Sequence, residues 1–266
     1  MAPVRIALHQ SAGAVPRDTR ANLRALDATA RTAAAGGARL LLTPELWLTG
    51  YALGDDVAAR AETANGPGAR AVAAIAAEHG LAIAYGYPER AGDAVYNSVQ
   101  LIDPHGRALA GYRKTHLFGD FETEHFTPGD TLVAQTVFAG LRIGLLICYD
   151  VEFPETVRAH ALAGTELLLA PTALMRPYEI VPNTLIPARA WENQLYVAYA
   201  NRAGPEGGFH FAGLSCLAAP DGTVRARAGL GDDLILADVD PGLLAASRAQ
   251  NPYLADRRPE LYHPRG

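Results

Sequence analysis

The sequence predicts an α/β fold built from layers of strands and helices. Three observations carry that expectation. Short aliphatic and β-branched runs alternate with Ala-rich stretches of helical spacing along the chain. Clusters of Gly, Pro and Asp separate them. Hydrophobic residues make up 49% of the 266 positions, enough to fill a large core. No repeat or low-complexity linker divides the chain, so one domain over residues 1–266 is expected.

The elements follow in order. Val4–Gln10 reads as a buried strand. Asp18 or Thr19 can cap a helix running to Ala35, with Leu23, Leu26 and Ala30 on one face and Gly36-Gly37 ending it. Leu40–Thr43 is a second strand, closed by Pro44, and residues 44–56 form a loop around Glu45. Ala69–His79 is a helix stopped by Gly80. Leu81–Tyr87 and Val95–Ile102 are strands around a turn at Ala91-Gly92-Asp93. Asp103-Pro104-His105-Gly106 turns the chain into a strand at Ala108–Tyr112, so the sheet is not purely parallel. Residues 115–130 read as a long irregular loop. Leu141–Ile147 is expected as a central strand, Pro154–Ala163 as a helix, Glu166–Ala170 as a strand and Pro187–Gln194 as a helix. Strands at Tyr196–Ala200, Gly213–Ala219 and Leu234–Asp238 complete the order, with a turn at Pro220-Asp221-Gly222.

Composition narrows the function. The net charge is −5 and no basic cluster stands out, which argues against nucleic acid and against attraction to anionic membranes. No apolar run reaches the roughly 18 residues of a membrane span. The opening MAPVRIALHQ lacks the pattern of a secretory signal, so a cytoplasmic location is expected. Two cysteines, Cys148 and Cys216, supply neither a disulfide framework nor a zinc site.

Cys148 lies in LLICYDVEFPE, where an apolar run stops and a helix is about to begin. Most cysteines in such surroundings are core residues. At a strand-to-helix junction, however, backbone N–H groups lower a thiol pKa and can receive an oxyanion. Cys216, inside GLSCLAAPDG, has no such terminus and reads as core. A nucleophile needs a base. Among eight histidines, His116 stands nearest to a motif-like loop, but in no recognisable cysteine–histidine setting. Acids at strand ends are the alternative. Glu45, in LLLTPELWLTGY, directly follows a strand, and partial burial there would raise its pKa and make it a better base; a lone Glu in a loop is otherwise a solvated acid. Lys114, in GYRKTHLFGD, also follows a strand; held inside a cleft it would offset charge on a substrate oxygen, whereas most lysines are solvated.

TPELWLTGY, YRKTHLF and LLICYDVEFPE together resemble the three signature segments of the nitrilase, or carbon–nitrogen hydrolase, superfamily. The resemblance runs from the first strand to the tail around RRPELY. It implies a four-layer αββα sandwich, a homodimer or larger homo-oligomer, a small-molecule amide substrate, and no metal or organic cofactor. Carried over residue by residue, it implies Glu45 as base, Lys114 as oxyanion cation and Cys148 as nucleophile, with the Tyr149 N–H completing the oxyanion hole. A second family glutamate precedes the loop Phe126-Thr127-Pro128-Gly129-Asp130; counting back gives Glu122, with Glu124 close enough to leave the choice open.

The stretches YGYPER, YNSVQLIDPHG, YRKTHLFGDF, CYDVEFPE, LLLAPTALM, ARAWENQLYVAYANR and AAPDG look like those of bacterial 5-aminopentanamidase (δ-aminovaleramidase) and R-stereoselective amidases. The departure is FETEHF, whose acidic spacing differs. Glu152 stands where relatives acting on amides of dicarboxylic acids carry Arg. An acid there disfavours a carboxylate-ended substrate and attracts an ammonium, or else serves the helix dipole or orients Lys114. Trp47, Tyr51, Phe118, Tyr149, Thr172, Ala173, Met175 and Trp191 are the other candidates for pocket walls, although aromatic and Met residues mostly fill interiors. The expected activity is hydrolysis of a small aliphatic primary amide through a cysteine thioester. The alternatives are an N-carbamoyl amine hydrolase, a nitrilase, or a non-catalytic binding module on a retained fold; the intact Glu45, Lys114 and Cys148 argue against the last.

Overall fold

Two six-stranded sheets stack face to face between layers of helices. The computed structural model describes residues 2–11, 16 and 18–262. The first sheet runs β14 (Asp233–Val239), β1 (Val4–Gln10), β2 (Leu40–Leu42), β3 (Ala82–Ala91), β4 (Ala94–Ile102) and β5 (Ala108–Arg113). The second runs β13 (Val224–Arg227), β12 (Cys216–Ala218), β9 (Tyr196–Ala200), β8 (Leu167–Pro171), β7 (Leu141–Leu145) and β6 (Ala134–Phe138). A separate hairpin joins β10 (Ala203–Glu206) to β11 (Phe209–Ala212).

Each sheet has a parallel middle, β1-β2-β3 in one and β7-β8-β9 in the other, with antiparallel strands outside. Parallel neighbours need crossovers, and helices supply them. In the first sheet these are α1 (Thr19–Ala35) and α3 (Pro67–His79), with the short α2 (Val57–Arg60) preceding α3. In the second they are α5 (Pro154–Leu162) and α6 (Ile186–Asn193). The Asp18 side chain caps α1 by accepting the Ala21 N–H at 2.9 Å, a contact of about 1 kcal/mol.

The period of two in the strands separates the layers. Ile6, Leu8, Leu40 and Leu42 enter the core shared by the two sheets, while Ala7 and Leu41 pack outward with Leu26, Ala30 and Val72 of α1 and α3. Leu40–Leu42 are wholly buried, and a Leu→Ala change there costs about 2–5 kcal/mol.

The structure departs from the sequence expectation in several places. The loop expected over 115–130 contains a helix, α4 (Gly119–His125), which opens on a left-handed Gly119 and buries Glu122. Leu141–Leu145 is one strand in from the sheet edge rather than central, because Ala134–Phe138 pairs outside it. Strand β13, the β10–β11 hairpin and the terminal helices α7 (Pro241–Gln250) and α8 (Tyr253–Asp256) were not expected; their apolar content is low or their runs short. Strand β3 continues through Pro88 because its hairpin with β4 extends to Ala91↔Ala94.

The ends of three strands carry the site. Glu45 follows β2, Lys114 follows β5 and Cys148 follows β7, so both sheets contribute. Two glycines permit this. A Cβ at Gly86 would strike the Leu46 nitrogen and meet the Pro44 oxygen at 2.9 Å, so only glycine lets the Glu45 turn lie on β3. A Cβ at Gly129 would strike the Arg113 carbonyl, where the Gly129 N–H donates to Lys114 O at 2.8 Å.

Candidate active site

Glu45 is 1% exposed, and its two oxygens have unlike surroundings. Oε1 accepts from Lys114 Nζ and from Asn97 Nδ2, both at 2.7 Å. Among the described residues, the buried Oε2 has no hydrogen-bond partner. Burial lifts the carboxyl to about 7; Lys114 pulls it down and Glu122 pushes it up. Backbone contacts fix the turn: Glu45 N donates to Thr172 O at 3.3 Å, and Arg202 Nη1 donates to Glu45 O at 3.2 Å.

Lys114 is equally buried. Its Nζ lies 2.7 Å from Glu45 Oε1 and 2.7 Å from Glu122 Oε1. Burial alone would lower the ammonium, but the Glu122 and Glu45 carboxylates outweigh it and hold it well above the ordinary lysine value. Glu122 also accepts from Tyr51 Oη at 2.9 Å and from Phe118 N at 2.8 Å. Glu124 is exposed on the other side of α4. Of the two acids that the spacing left open, Glu122 is therefore the one beside Lys114.

Cys148 begins a 3₁₀ turn, Cys148–Glu152, between β7 and α5. Its φ of 47° is left-handed, a conformation that costs a non-glycine residue about 1–2 kcal/mol. The thiol is buried, and here the structure corrects the sequence expectation of a lowered pKa. Burial raises it well above the ordinary thiol value, and repulsion from Glu45 and Glu122 adds to that. The Lys114 charge and a hydrogen bond from the Ala173 backbone pull the other way without prevailing. The resting group is the thiol, which needs a base to lose its proton.

A cavity of about 240 Å³ opens on the sulfur, lined by Tyr51, Phe118, Glu122, Cys148, Tyr149 and Glu152. Ala173, Leu174, Met175 and Tyr178 complete the lining. Phe118 meets Tyr149 and Tyr178 edge-on, at 5.2 and 6.1 Å between ring centres. Glu152 is half-buried, and burial raises its carboxyl against the pull of Lys114 and Arg189. Among the described residues, no hydrogen bond or ion pair engages that carboxylate, so it does not orient Lys114.

Three expected wall residues lie elsewhere. Trp47 is buried against the His9 ring, 4.7 Å between centres. Trp191 packs on Tyr253 and Gly222, because its side of α6 faces the C-terminal segment. Thr172 turns its hydroxyl back to Ala170 O at 3.0 Å and acts through its carbonyl, which receives the Glu45 N–H. His116 is outside the cavity lining, its Nδ1 2.9 Å from Asp150 Oδ1 and its ring stacked on Phe153.

Sequence reasoning missed Asn97, which holds Glu45, and Asp150, buried behind Cys148. It also missed Arg202 and Glu206, a buried ion pair against the Glu45 turn. Glu206 Oε1 accepts from Tyr51 N at 2.6 Å and Ala52 N at 2.8 Å. The only sequence signal for Asp150 was its place inside the Cys148 segment; the others stand in segments whose contacts with the site are long-range.

Cys148 and Glu122 line the cavity, and the buried Lys114 bridges Glu122 to Glu45; two carboxylates, a lysine and a cysteine so gathered are the parts of an acyl-transfer enzyme, and comparison with known proteins agrees. A family model described as carbon-nitrogen hydrolase matches residues 5–249. The chain belongs to the carbon–nitrogen hydrolase family and is an enzyme of the nitrilase superfamily.

Particular relatives sharpen the picture. A protein named hydrolase in pqqF 5′ region, from Pseudomonas protegens, is 50% identical over 97% of this chain and 90% of its own length. An (R)-stereoselective amidase from a Pseudomonas species is 39% identical over 96% of this chain and 92% of its own. The structure of an amidase from Nesterenkonia sp. AN1 superposes with a TM-score of 0.88 at 38% identity, over 97% of this chain and 95% of that one. For that amidase, a Glu→Gln mutant is described with the acetamide moiety of fluoroacetamide added covalently at the active-site cysteine. A Cys→Ala mutant of the same amidase is described in complex with butyramide. Among the described residues of the present chain, no helix is long and apolar enough to cross a membrane.

Proposed function

We propose that this protein is an amidase that hydrolyses small aliphatic primary amides through a thioester on Cys148. The observation that carries the reading is the asymmetry of Glu45: one oxygen is tied to Lys114 and Asn97, the other is buried without a partner, and the carboxyl is lifted to about 7 near a thiol kept protonated. A base of that strength operates near neutral pH. As Sγ bonds to the amide carbon, Glu45 takes the thiol proton and the carbonyl electrons move onto oxygen. Lys114 spends two of its three N–H bonds on Glu45 and Glu122; the third, with the Tyr149 N–H, holds the oxyanion. Collapse expels ammonia, which takes its proton from Glu45. Water then attacks the thioester, gives a proton to Glu45, and the acid leaves as that proton returns to sulfur.

The relatives support an amide substrate, and the size and apolar walls of the cavity support a short aliphatic one. We further propose that the preferred amide ends in an ammonium, as 5-aminopentanamide does, because Glu152 presents an unpaired carboxylate to the cavity. The test is ammonia release from short amides, N-carbamoyl amines and nitriles, with mass spectrometry of acid-quenched enzyme. An acyl mass on Cys148 and turnover of primary amides are expected. Turnover confined to carbamoyl amines or nitriles would overturn the reading.

A further inference from the structure

We infer that Asp150 is a positioning residue that sets the distance between Lys114 and Cys148, by strapping the segment after the lysine to the turn that holds the cysteine. This rests on the proposed roles of those two residues. Asp150 is wholly buried, yet it is not among the residues that line the cavity. Both of its oxygens are filled, and from two sides. Oδ1 accepts the Thr115 hydroxyl at 2.8 Å and the His116 backbone N–H at 2.9 Å, the two residues that follow Lys114. His116 Nδ1 lies 2.9 Å from the same oxygen. Oδ2 accepts the Tyr112 hydroxyl at 2.9 Å, from β5, and the Ile147 N–H at 3.1 Å, directly before Cys148.

One carboxylate thus gathers donors from both sheets. Lys114 leaves the first sheet and Cys148 the second, and no strand pairing joins β5 to β7. The strap is completed on its outer side by the His116 ring, stacked on Phe153 with centres 4.1 Å apart. The Thr156 hydroxyl donates to Asp150 O at 2.6 Å and fixes the turn to α5. Every donor is used, so the carboxylate suits the site for its acceptors and not for chemistry of its own. Asparagine would turn an NH₂ towards at least one N–H or O–H donor and open the strap on that side.

The test compares wild type with Asp150→Asn, Thr115→Val and Tyr112→Phe, using ammonia release from butyramide and the pH dependence of Cys148 alkylation by iodoacetamide. The groups whose charge acts on the thiol are Glu45, Glu122 and Lys114; of these charges only that of Lys114 lowers its pKa, alongside the Ala173 backbone hydrogen bond, so a receding lysine moves the alkylation midpoint to higher pH. We expect Asp150→Asn to lower kcat at least about 100-fold, with KM within about threefold, and to move that midpoint upward. Thr115→Val and Tyr112→Phe, which keep the carboxylate, should show the same signs with losses of about three- to tenfold. If Asp150→Asn folds and keeps kcat within threefold at an unchanged midpoint, the inference is wrong. If it does not fold, the two conservative variants decide: lowered melting temperature without loss of kcat or movement of the midpoint overturns it. A Cys148→Ala control that still releases ammonia would instead remove the proposed chemistry, whatever Asp150 does.

Discussion

Glu45 offers Lys114 one oxygen at 2.7 Å and keeps the other buried and unpaired. The first oxygen fixes the carboxylate in place, and in the proposed mechanism the second exchanges protons. Because burial raises the group to about 7, the rate of thioester formation should climb with pH through about 7 as the base loses its proton. Replacing Glu45 by Gln should lower kcat about 10³-fold, since an amide cannot carry the proton. Stability follows the opposite course. A carboxyl whose folded pKa exceeds its unfolded value stabilises the fold fully below that unfolded value and loses the contribution as pH rises through about 7. Urea unfolding of wild type and Glu45→Gln from pH 5 to 8 should therefore show the wild type losing ground to the variant as pH rises.

The two cysteines should behave as opposites. Cys148→Ala is expected to abolish ammonia release while the melting temperature stays near that of wild type, because the sulfur borders an existing cavity and its loss opens little new space in the packed core. Cys216, wholly buried in β12, should tolerate Ala in activity but lose about 1 kcal/mol of stability to the space left behind. Paired activity and thermal-melt measurements check both.

Removing the lysine strands two acids. In Lys114→Ala, Glu45 and Glu122 are left buried against each other with no cation between them, which should cost about 3–5 kcal/mol in addition to the loss of turnover. The defect should shrink towards acid pH, where a stranded carboxyl can take up a proton. Denaturation at pH 5 and pH 8 is the measurement; equal destabilisation at both would be evidence against a charge origin.

Substrate charge should respond to Glu152. Aminoamide, neutral amide and acid amide of equal length should rank in that order for wild type. Glu152→Gln should narrow the gap between the ends by about tenfold, or about 1.4 kcal/mol. Because burial raises this carboxyl, the preference for the cation should strengthen as pH rises and the group ionises. An acid amide preferred by wild type would contradict the argument.

Much of the framework was legible in the chain. The first sheet's strands, their turns and the crossover helices announced themselves through period, glycines and prolines, as at Gly80 and Asp18. Glu45, Lys114 and Cys148, each weak alone at the end of an expected strand, were visible because together they match three signature segments. The rest was hidden for physical reasons. Helix α4 contains few apolar residues, and the contacts of its buried Glu122 are with Lys114, Tyr51 and Phe118, which no local pattern displays. Phe118 and Trp191 are both aromatic candidates for the pocket wall, yet only Phe118 lines the cavity; placement in the fold decided that, not residue type. The thiol pKa was misjudged because proximity to backbone N–H groups is readable in sequence, whereas the burial of the thiol itself, and the two carboxylates beside it, are not.

That the cysteine follows a strand of one sheet while Glu45 and Lys114 follow strands of the other makes turnover a proximity gauge for the whole sandwich. A chain in which each sheet has formed separately would score as native by circular dichroism and as dead by assay. During refolding, regain of ammonia release should therefore lag behind regain of secondary structure and coincide with burial of the residues between the sheets, such as Leu42 and Leu169. Catalysis here dates the moment of docking.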